Sequence, residues 1–173
     1  MKVLAISYSY TGTCRKLRQA LSARLGWAEG EIADHAPGRG KWRCVLDSLL
    51  RRKPRICYAG PAPGAFDVVV LIAPIWLQKL AAPMRTFVKE HSGLPRVALV
   101  SVMGGQGAPQ ALEEFTQLTG KAPTVFASFT QREVDDGSFA QRVEVLGRDI
   151  ESAREVRPAS ASNRACAAQT AAG

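Results

Sequence analysis

The sequence opens with the stretch that decides its fold, Val3-Leu4-Ala5-Ile6-Ser7-Tyr8-Ser9-Tyr10-Thr11-Gly12-Thr13-Cys14. Its first five residues form an apolar run of strand length. The polar residues that follow lead into a helical pattern, and Gly26 stands where that pattern stops. One face of the pattern carries Leu17, Ala20, Leu21 and Leu25. The stretch therefore predicts a strand, a short loop rich in hydroxyl groups, and a helix.

The same alternation continues through most of the chain. Residues 66–73 are apolar except for Asp67 and rich in β-branched side chains, as expected of a central strand buried on both faces of a parallel sheet. Further strands are predicted at 31–35, 96–102 and 123–130, and further helices from Pro83 onward, over 109–118 and over 138–155. Strands that alternate with helices pair in parallel through right-handed crossovers. The predicted fold is therefore α/β: a doubly wound sheet of five parallel strands with helices on both faces.

Length and composition indicate one soluble domain. The chain has 173 residues, of which 46% are hydrophobic and 22% charged, which is ordinary for a globular protein. We expect the domain to cover residues 1–156 and the Ala/Ser-rich residues 157–173 to form a disordered tail. The longest apolar stretch, 68–77, is about half as long as a membrane span. The N-terminal apolar run is too short for the core of a secretory signal.

Cysteines and histidines give no sign of a metal site or of disulfides. The four cysteines form no CxxC pair and no zinc spacing, and the chain has two histidines. We therefore predict no metal and a cytoplasmic location.

Basic residues are concentrated in the segment 38–57. Seven lysines and arginines stand there against Asp47 alone, a net charge of +6 out of +8 for the chain. The segment has apolar residues at helical spacing, so the charges fit the solvated face of a helix. They would also suit an acidic partner or nucleic acid, but no nucleic-acid-binding motif accompanies them. We therefore expect no nucleic-acid partner.

The loop Ser9-Tyr10-Thr11-Gly12-Thr13-Cys14 has the properties of a phosphate cradle. The start of a helix offers free backbone N–H groups and the positive end of the helix dipole, and this loop adds several hydroxyls. No lysine follows as in a P-loop, which argues against a nucleoside triphosphate with magnesium. A simpler interpretation is that Thr11 or Thr13 caps the helix.

Two other loops follow predicted strands on the same edge of the sheet. One contains Pro74, Ile75, Trp76, Leu77 and Gln78, in which the tryptophan is suited to lie against a flat aromatic ligand or simply to close the top of the core. The other contains Met103, Gly104, Gly105, Gln106 and Gly107, whose glycines let the backbone approach a ligand closely or simply form a turn. Each loop alone is weak evidence of a site. All three loops follow strands at the carboxyl edge of the predicted sheet, and this coincidence indicates a binding site there.

The same segments resemble the flavodoxin family, in particular flavodoxin-like quinone reductases and short bacterial flavoproteins. The resemblance covers about residues 1–155. It rests on the segments 8–13, 67–76, 82–87 and 104–107, of which the Pro-Ile-Trp motif followed by Pro-Met-Arg-Thr-Phe is the most specific. It implies the strand order 2-1-3-4-5 and the cofactor FMN, with its phosphate on the first loop. The second loop would border the isoalloxazine ring, and the third would offer backbone donors to the ring's pyrimidine edge.

This chain departs from the family pattern in three ways. Thr13-Cys14 stand where the family commonly has Asn-Thr, and a cysteine sulfur is a poorer donor than a hydroxyl. The third loop has Met103 and glycines where electron-carrier flavodoxins usually stack a tyrosine. The chain is also basic, whereas those carriers are acidic. The last two departures favour an open flavin face that a substrate can reach.

Cys14 needs separate consideration because a thiol at a helix N-terminus is expected to have a lowered pKa, which would make it a candidate nucleophile. Low-molecular-weight phosphatases share the general fold and use a Cys-x5-Arg loop. Here the residue six positions after Cys14 is Ala20, and the loop precedes the cysteine. We therefore assign no catalytic residue.

Three functions remain open at this point. The first is an FMN-dependent oxidoreductase that passes hydride or electrons from a reduced nicotinamide, or from a redox partner, to a quinone-like acceptor. The second is a small electron-transfer protein that docks to an acidic redox partner through the basic segment. The third is a binding module that has kept the fold and lost the flavin. Related reductases often complete their site with a second subunit, so a homo-oligomer is also possible.

Overall fold

The computed structural model describes residues 1–34, 54–104 and 107–153. Over these residues strands and helices alternate, and a short 3-10 turn at Pro63–Ala65 precedes the fourth strand. The elements in chain order are β1 (Val3–Tyr8), α1 (Thr13–Leu25), β2 (Ala28–Asp34), β3 (Ile56–Ala59), β4 (Val68–Trp76), β5 (Lys79–Leu80), α2 (Ala82–Glu90), β6 (Arg96–Met103), α3 (Ala108–Thr119), β7 (Val125–Thr130), α4 (Gln131–Asp136) and α5 (Ala140–Ser152).

The sheet has the order β3-β2-β1-β4-β6-β7, with β5 paired to β4. The pairs β2–β1, β1–β4, β4–β6 and β6–β7 are all parallel. These five parallel strands therefore have the predicted order 2-1-3-4-5. Strands β3 and β5 are additions: each is antiparallel to its neighbour, and β5 closes a hairpin on the end of β4. They were missed because runs of four and two residues are too short to show a period.

Helices cover both faces of the sheet, and β4 shows the division clearly. Val68, Val70 and Ile72 pack into one core with residues of α1 and α5. Val69, Leu71 and Ala73 pack into the other core with residues of α2 and α3. Side chains alternate along a strand, so a strand buried on both faces must be apolar at every position. The strand predicted over 66–73 is confirmed from Val68 onward, and Phe66 and the exposed Asp67 precede it.

Helix α1 ends at Gly26, as predicted. Gly26 has φ 69°, and its N–H donates to the carbonyl of Ser22. A left-handed residue at this position is the usual end of a helix, and glycine adopts it without strain.

The helix predicted over 138–155 is confirmed as α5, which covers Ala140–Ser152. The short helix α4 that precedes it was not predicted, and it ends at Gly137, which has φ 82°. Thr130 begins α4 through a capping box: the backbone N–H of Glu133 donates to the Thr130 hydroxyl, and the Glu133 carboxylate accepts from the Thr130 N–H. These bonds hold the pKa of Glu133 below its usual range. The predicted inward side chains Phe139, Val143, Leu146 and Ile150 are all buried.

Two predictions lie wholly or largely outside the described residues. One is the helix in the basic segment 38–57, of which only residues 54–57 are described, with Ile56 and Cys57 in β3. The other is the disordered tail at 157–173. In the described part of the chain, no helix is long and apolar enough to cross a membrane.

Candidate functional site

A cavity of about 440 Å³ opens at the carboxyl ends of β1, β4, β6 and β7. Ligands of doubly wound sheets bind at this edge, near the point where the strand order reverses. Three loops predicted from the sequence meet around the cavity, together with the start of α4. The lining residues are Ser9, Tyr10, Thr11, Thr13, Cys14, Pro74, Ile75, Trp76, Leu77, Val102, Met103, Gly104 and Gln131.

The first loop presents the start of α1 to the cavity. Gly12 precedes the helix with φ 92°, a left-handed conformation that favours glycine. The first helical bond runs from the Lys16 N–H to the Gly12 carbonyl at 2.9 Å, so the amides of residues 13–15 have no partner within the helix. The first turn, all of it described, holds no acidic side chain, and no side chain caps it. The amides there are consequently suited to an anion.

Hydroxyl groups complete this part of the cavity. The Thr11 and Thr13 side-chain oxygens lie 3.2 Å apart. The Ser9 hydroxyl is buried and makes no hydrogen bond to any described residue. A buried polar atom without a partner costs about 1–3 kcal/mol. An anionic ligand in the cavity would accept the hydrogen bond that the Ser9 hydroxyl does not make to any described residue.

A buried arginine fixes α1 against the sheet. The Arg18 guanidinium donates to the Ser7 hydroxyl at 3.2 Å and to the Gly30 carbonyl at 3.0 Å, which lie on β1 and β2. It also pairs with Glu29 at 3.3 Å and Glu31 at 3.4 Å. These contacts hold the start of the helix in register with the end of β1, which positions the first loop.

The second loop is a tight hairpin turn between β4 and β5. Leu77 and Gln78 are its central residues, with φ 49° and 64°. Two left-handed central residues define the turn in which Asn-Gly is preferred, so this pair is strained. Gly107 packs against the turn, since a Cβ there would lie 3.0 Å from the Cα of Gln78.

A partly buried carboxylate on α3 binds the same hairpin. Glu114 on α3 accepts a 2.8 Å hydrogen bond from the backbone N–H of Leu80 and pairs with Arg85 at 3.2 Å. The turn is thus held by packing on one side and by hydrogen bonds on the other. Its strain is imposed by this surrounding structure.

Aromatic rings hold Trp76 at the mouth of the cavity. The edges of Tyr8 and Tyr10 approach it at 6.1 Å between centroids, in both cases nearly perpendicular. Beside this cluster Leu77 is 62% exposed and Tyr10 is 36% exposed. The cavity mouth therefore has an apolar rim.

The structure separates the predicted site residues into three groups. Those that line the cavity are Ser9, Tyr10, Thr11, Thr13, Cys14, Pro74, Ile75, Trp76, Leu77, Met103 and Gly104. Gly12, Gln78 and Gly107 do not line it: they shape the two turns and the contact between the second and third loops. Gly105 lies outside the described residues.

Sequence reasoning missed two lining residues, Val102 and Gln131. Val102 was predicted as the last residue of the strand 96–102 and not as a lining residue. It is the second-last residue of β6, at the end of the strand that faces the cavity. Gln131 begins α4, directly after β7. A signal for it existed, because every parallel strand of such a sheet ends at the same edge and residue 130 was the predicted end of the last strand.

The described residues that line this cavity include no aspartate, glutamate, lysine, arginine or histidine. Cys14 is 2% exposed, and its burial raises the pKa of the thiol to about 12. The expectation of a lowered pKa was therefore wrong, because loss of water around the sulfur outweighs its position at the helix start. The described lining supplies hydrogen bonds and apolar surface, and no side-chain acid, base or thiolate at neutral pH.

Comparisons with known structures identify the architecture. A flavoprotein from Lactobacillus acidophilus NCFM, solved in complex with FMN, matches with a TM-score of 0.66 at 18% identity, over 79% of this chain and 98% of that one. The chain has a flavodoxin-like fold.

Two further flavodoxin-like structures agree over more of the chain. A flavodoxin, WrbA-like protein from Agrobacterium tumefaciens gives a TM-score of 0.58 at 12% identity, over 90% of this chain and 99% of that one. A Fusobacterium nucleatum flavodoxin bound to flavin mononucleotide gives 0.53 at 11% identity, over 88% and 98%. No protein-family model and no curated protein sequence matches the chain.

Proposed function

We propose that this chain binds FMN in the cavity at the carboxyl edge of the sheet and acts as an oxidoreductase. The observation that carries the proposal is the meeting of three loops around one cavity. At its base lie the uncapped start of α1 and the buried Ser9 hydroxyl, which has no hydrogen-bond partner among the described residues. Two of the similar structures, from Lactobacillus acidophilus and Fusobacterium nucleatum, contain FMN. A cavity of this size suits a cofactor.

The residues present fit the two ends of FMN. The hydroxyls of Ser9, Thr11 and Thr13 and the first amides of α1 would hold the phosphate, which needs no lysine or arginine when several N–H and O–H donors converge. Trp76, Leu77 and Met103 would border the flavin ring with apolar surface. Gln131 would add an amide group that can donate or accept.

The protein would orient FMN and exclude water from it, and would not itself carry out acid, base or nucleophilic steps. When bound, FMN supplies the hydride- and electron-transfer chemistry. The described lining has no aspartate, glutamate, lysine or histidine to act as acid or base, and the raised pKa of Cys14 keeps its sulfur protonated at neutral pH. We further propose that a reduced nicotinamide or a redox protein is the donor and a quinone-like molecule the acceptor.

The experiment that tests FMN binding compares FMN with riboflavin, which lacks the phosphate. We expect a yellow protein, or an apoprotein that binds FMN at least about 100-fold more tightly than riboflavin, because charge-assisted hydrogen bonds are worth about 1.5–3 kcal/mol each. Ser9→Ala should weaken FMN binding about tenfold and leave riboflavin binding unchanged.

Ser22→Ala is the matched control. The Ser22 hydroxyl is also buried without a partner among the described residues, but it does not line the cavity. Its loss should leave FMN affinity unchanged. A colourless protein that added FMN neither binds nor stabilises would contradict the proposal and would favour a flavin-free binding module.

A second candidate is a flavodoxin-type electron carrier, favoured by the exposed Leu77 and Tyr10 at the cavity mouth, because exposed apolar rims are typical of protein contacts. The two candidates separate kinetically. Multiple-turnover oxidation of NAD(P)H with a quinone, without a partner protein, supports the enzyme. Reduction that requires a partner and weakens steeply with salt supports the carrier.

A further inference from the structure

A second cavity, of about 420 Å³, lies at the opposite edge of the sheet. It is lined by the end of α2, the start of β6, the end of α3 and the segment that leads into β7. Arg96 and Met103, at the two ends of β6, line the second and the first cavity respectively. They are seven residues apart on an extended strand, which is about 23 Å. The two cavities are therefore separate sites.

The second cavity has an apolar side and a charged side. Val88, Leu94, Phe115 and Leu118 form the apolar side, and Val88 and Phe115 are fully buried. The charged side carries Lys89, Arg96 and Lys121. Of the described lining residues, none is an aspartate or glutamate.

The three cations have no acidic partner within the described part of the chain. Lys89 and Lys121 make no ion pair there, and the one contact of the Arg96 guanidinium is with the sulfur of Met1 at 3.8 Å. His91 is held by its Nδ1, which lies 3.0 Å from the Phe87 carbonyl, and by stacking on the Phe87 ring. The lysine and arginine side chains of the lining thus contribute three positive charges.

Helix ends offset part of this charge. Helices α2 and α3 both end at this edge, and each carboxyl end carries about half a negative charge. Lys89 in the last turn of α2 and Lys121 just after α3 stand where a cation complements such an end. Together the two helix ends carry about one negative charge, which balances about one of the three positive charges. Arg96 lies on a strand and is not placed at either helix end. An excess of about two positive charges remains beside apolar surface.

We propose that this second cavity binds a small organic anion, a carboxylate or sulfonate carried on an apolar body. The apolar body would cover the partly exposed Leu94 and Leu118, behind which Val88 and Phe115 are buried. The anionic group would lie among Lys89, Arg96 and Lys121. Such a ligand would replace the unfavourable contact of water with Leu94 and Leu118 and would neutralise the excess charge. The site is independent of whether the first cavity holds FMN.

The test uses anilinonaphthalene sulfonate as the probe and phenylnaphthylamine, the same aromatic body without the sulfonate, as the matched ligand. Calorimetric titration of the full chain should show one sulfonate site, at least about tenfold tighter than the neutral compound, since a charge-assisted contact is worth about a factor of ten or more. Excess FMN should leave the sulfonate affinity unchanged.

Charge reversal locates the site. Lys121→Glu, at an exposed position, should weaken sulfonate binding at least about fivefold and leave binding of the neutral compound unchanged. Arg148→Glu is the control, because it makes the same charge change on α5, on the other face of the sheet. Unfolding midpoints and FMN affinities of both variants would show that each is folded.

Any of four results would overturn the proposal. These are no sulfonate binding, equal affinity for the sulfonate and the neutral compound, equal weakening by Lys121→Glu and Arg148→Glu, and displacement of the sulfonate by FMN. The last result would place the probe in the first cavity.

Discussion

The two edges of the sheet carry cavities of nearly equal size, about 440 and 420 Å³. The described lining of the first has no charged side chain, whereas that of the second is positively charged. At the carboxyl edge the described lining is neutral and a helix begins there, so backbone amides and hydroxyls face the cavity. At the amino edge helices end, so carbonyl groups face outward and positive charge must come from lysine and arginine side chains. The direction of the helices thus decides which chemical groups are available to an anion at each edge.

The largest expected effect concerns the reactivity of the Cys14 thiol, which lines the first cavity. Because burial raises the pKa of its thiol from 9.0 to about 12, the thiolate fraction at pH 8 should be about a thousandfold below that of an ordinary cysteine. The exposed Cys57 is the internal reference. Residue-resolved alkylation followed by mass spectrometry should show Cys14 reacting at least about a hundredfold more slowly than Cys57.

The same pKa shift has a consequence for stability. Above pH 9 the unfolded chain loses the Cys14 proton while the folded chain keeps it, so this residue should lower the free energy of unfolding as pH rises from about 9 to about 12. Below pH 9 it should contribute no pH dependence. Fast alkylation of Cys14 at pH 8 in the folded protein would contradict the neutral character assigned to the first cavity.

The next effect tests whether backbone amides hold the phosphate. Gly12→Asp places a carboxylate at the start of α1 and should weaken FMN binding about 100-fold, since like charges about 6 Å apart at an effective dielectric constant of about 20 repel by about 2.8 kcal/mol. Gly12→Asn has the same shape and the same strain at φ 92° without the charge, so it isolates the electrostatic part.

Titrations of both variants with FMN and riboflavin would measure this difference. Riboflavin affinity should be equal in Gly12→Asp and Gly12→Asn. Equal FMN affinity in the two variants would place the phosphate elsewhere.

A smaller difference between the two cavities is expected in how ligand affinity depends on salt. Raising ionic strength from about 0.05 to about 0.5 M should weaken sulfonate binding at the second cavity about tenfold, because exposed side-chain charges are strongly screened. FMN binding should weaken about twofold or less, because amides and hydroxyls in a recess are screened less. Equal salt dependence at both cavities would show that the proposed contrast between them is wrong.

The smallest effect concerns the hairpin turn beside the first cavity. Replacing Leu77-Gln78 by Asn-Gly should raise the free energy of unfolding by about 1–2 kcal/mol, because Asn and Gly adopt left-handed conformations more readily. The single variants Leu77→Asn and Gln78→Gly apportion the gain, and urea unfolding measures it. No gain from either would mean that the turn is not strained. Loss of FMN affinity in Leu77→Asn alone would indicate that the exposed leucine contacts the ligand.

Much of the fold could be predicted because the signals were local and redundant. The all-apolar run that became β4 identified a strand buried on both faces, and the glycine after Leu25 identified the end of α1. Helix α4 was missed because the capping box of Thr130 and Glu133 was overlooked and the helix has only six residues. Strands β3 and β5 exist only through pairing with β2 and β4, which no short run of residues reveals.

The sequence by itself determined the parallel core and the three loops at its carboxyl edge, because hydrophobic periodicity and glycine placement can be read along the chain. The strand order came from the resemblance to flavodoxins. The tertiary structure alone decided four features of the sites. It buried Cys14 and so raised the pKa of its thiol, and it forced Leu77 and Gln78 into a strained turn. It also brought Gln131 to the first cavity and gathered Lys89, Arg96 and Lys121 around the second. The physical reason is the same in each case: burial, strain and charge proximity depend on residues distant in sequence, and only packing brings those residues together.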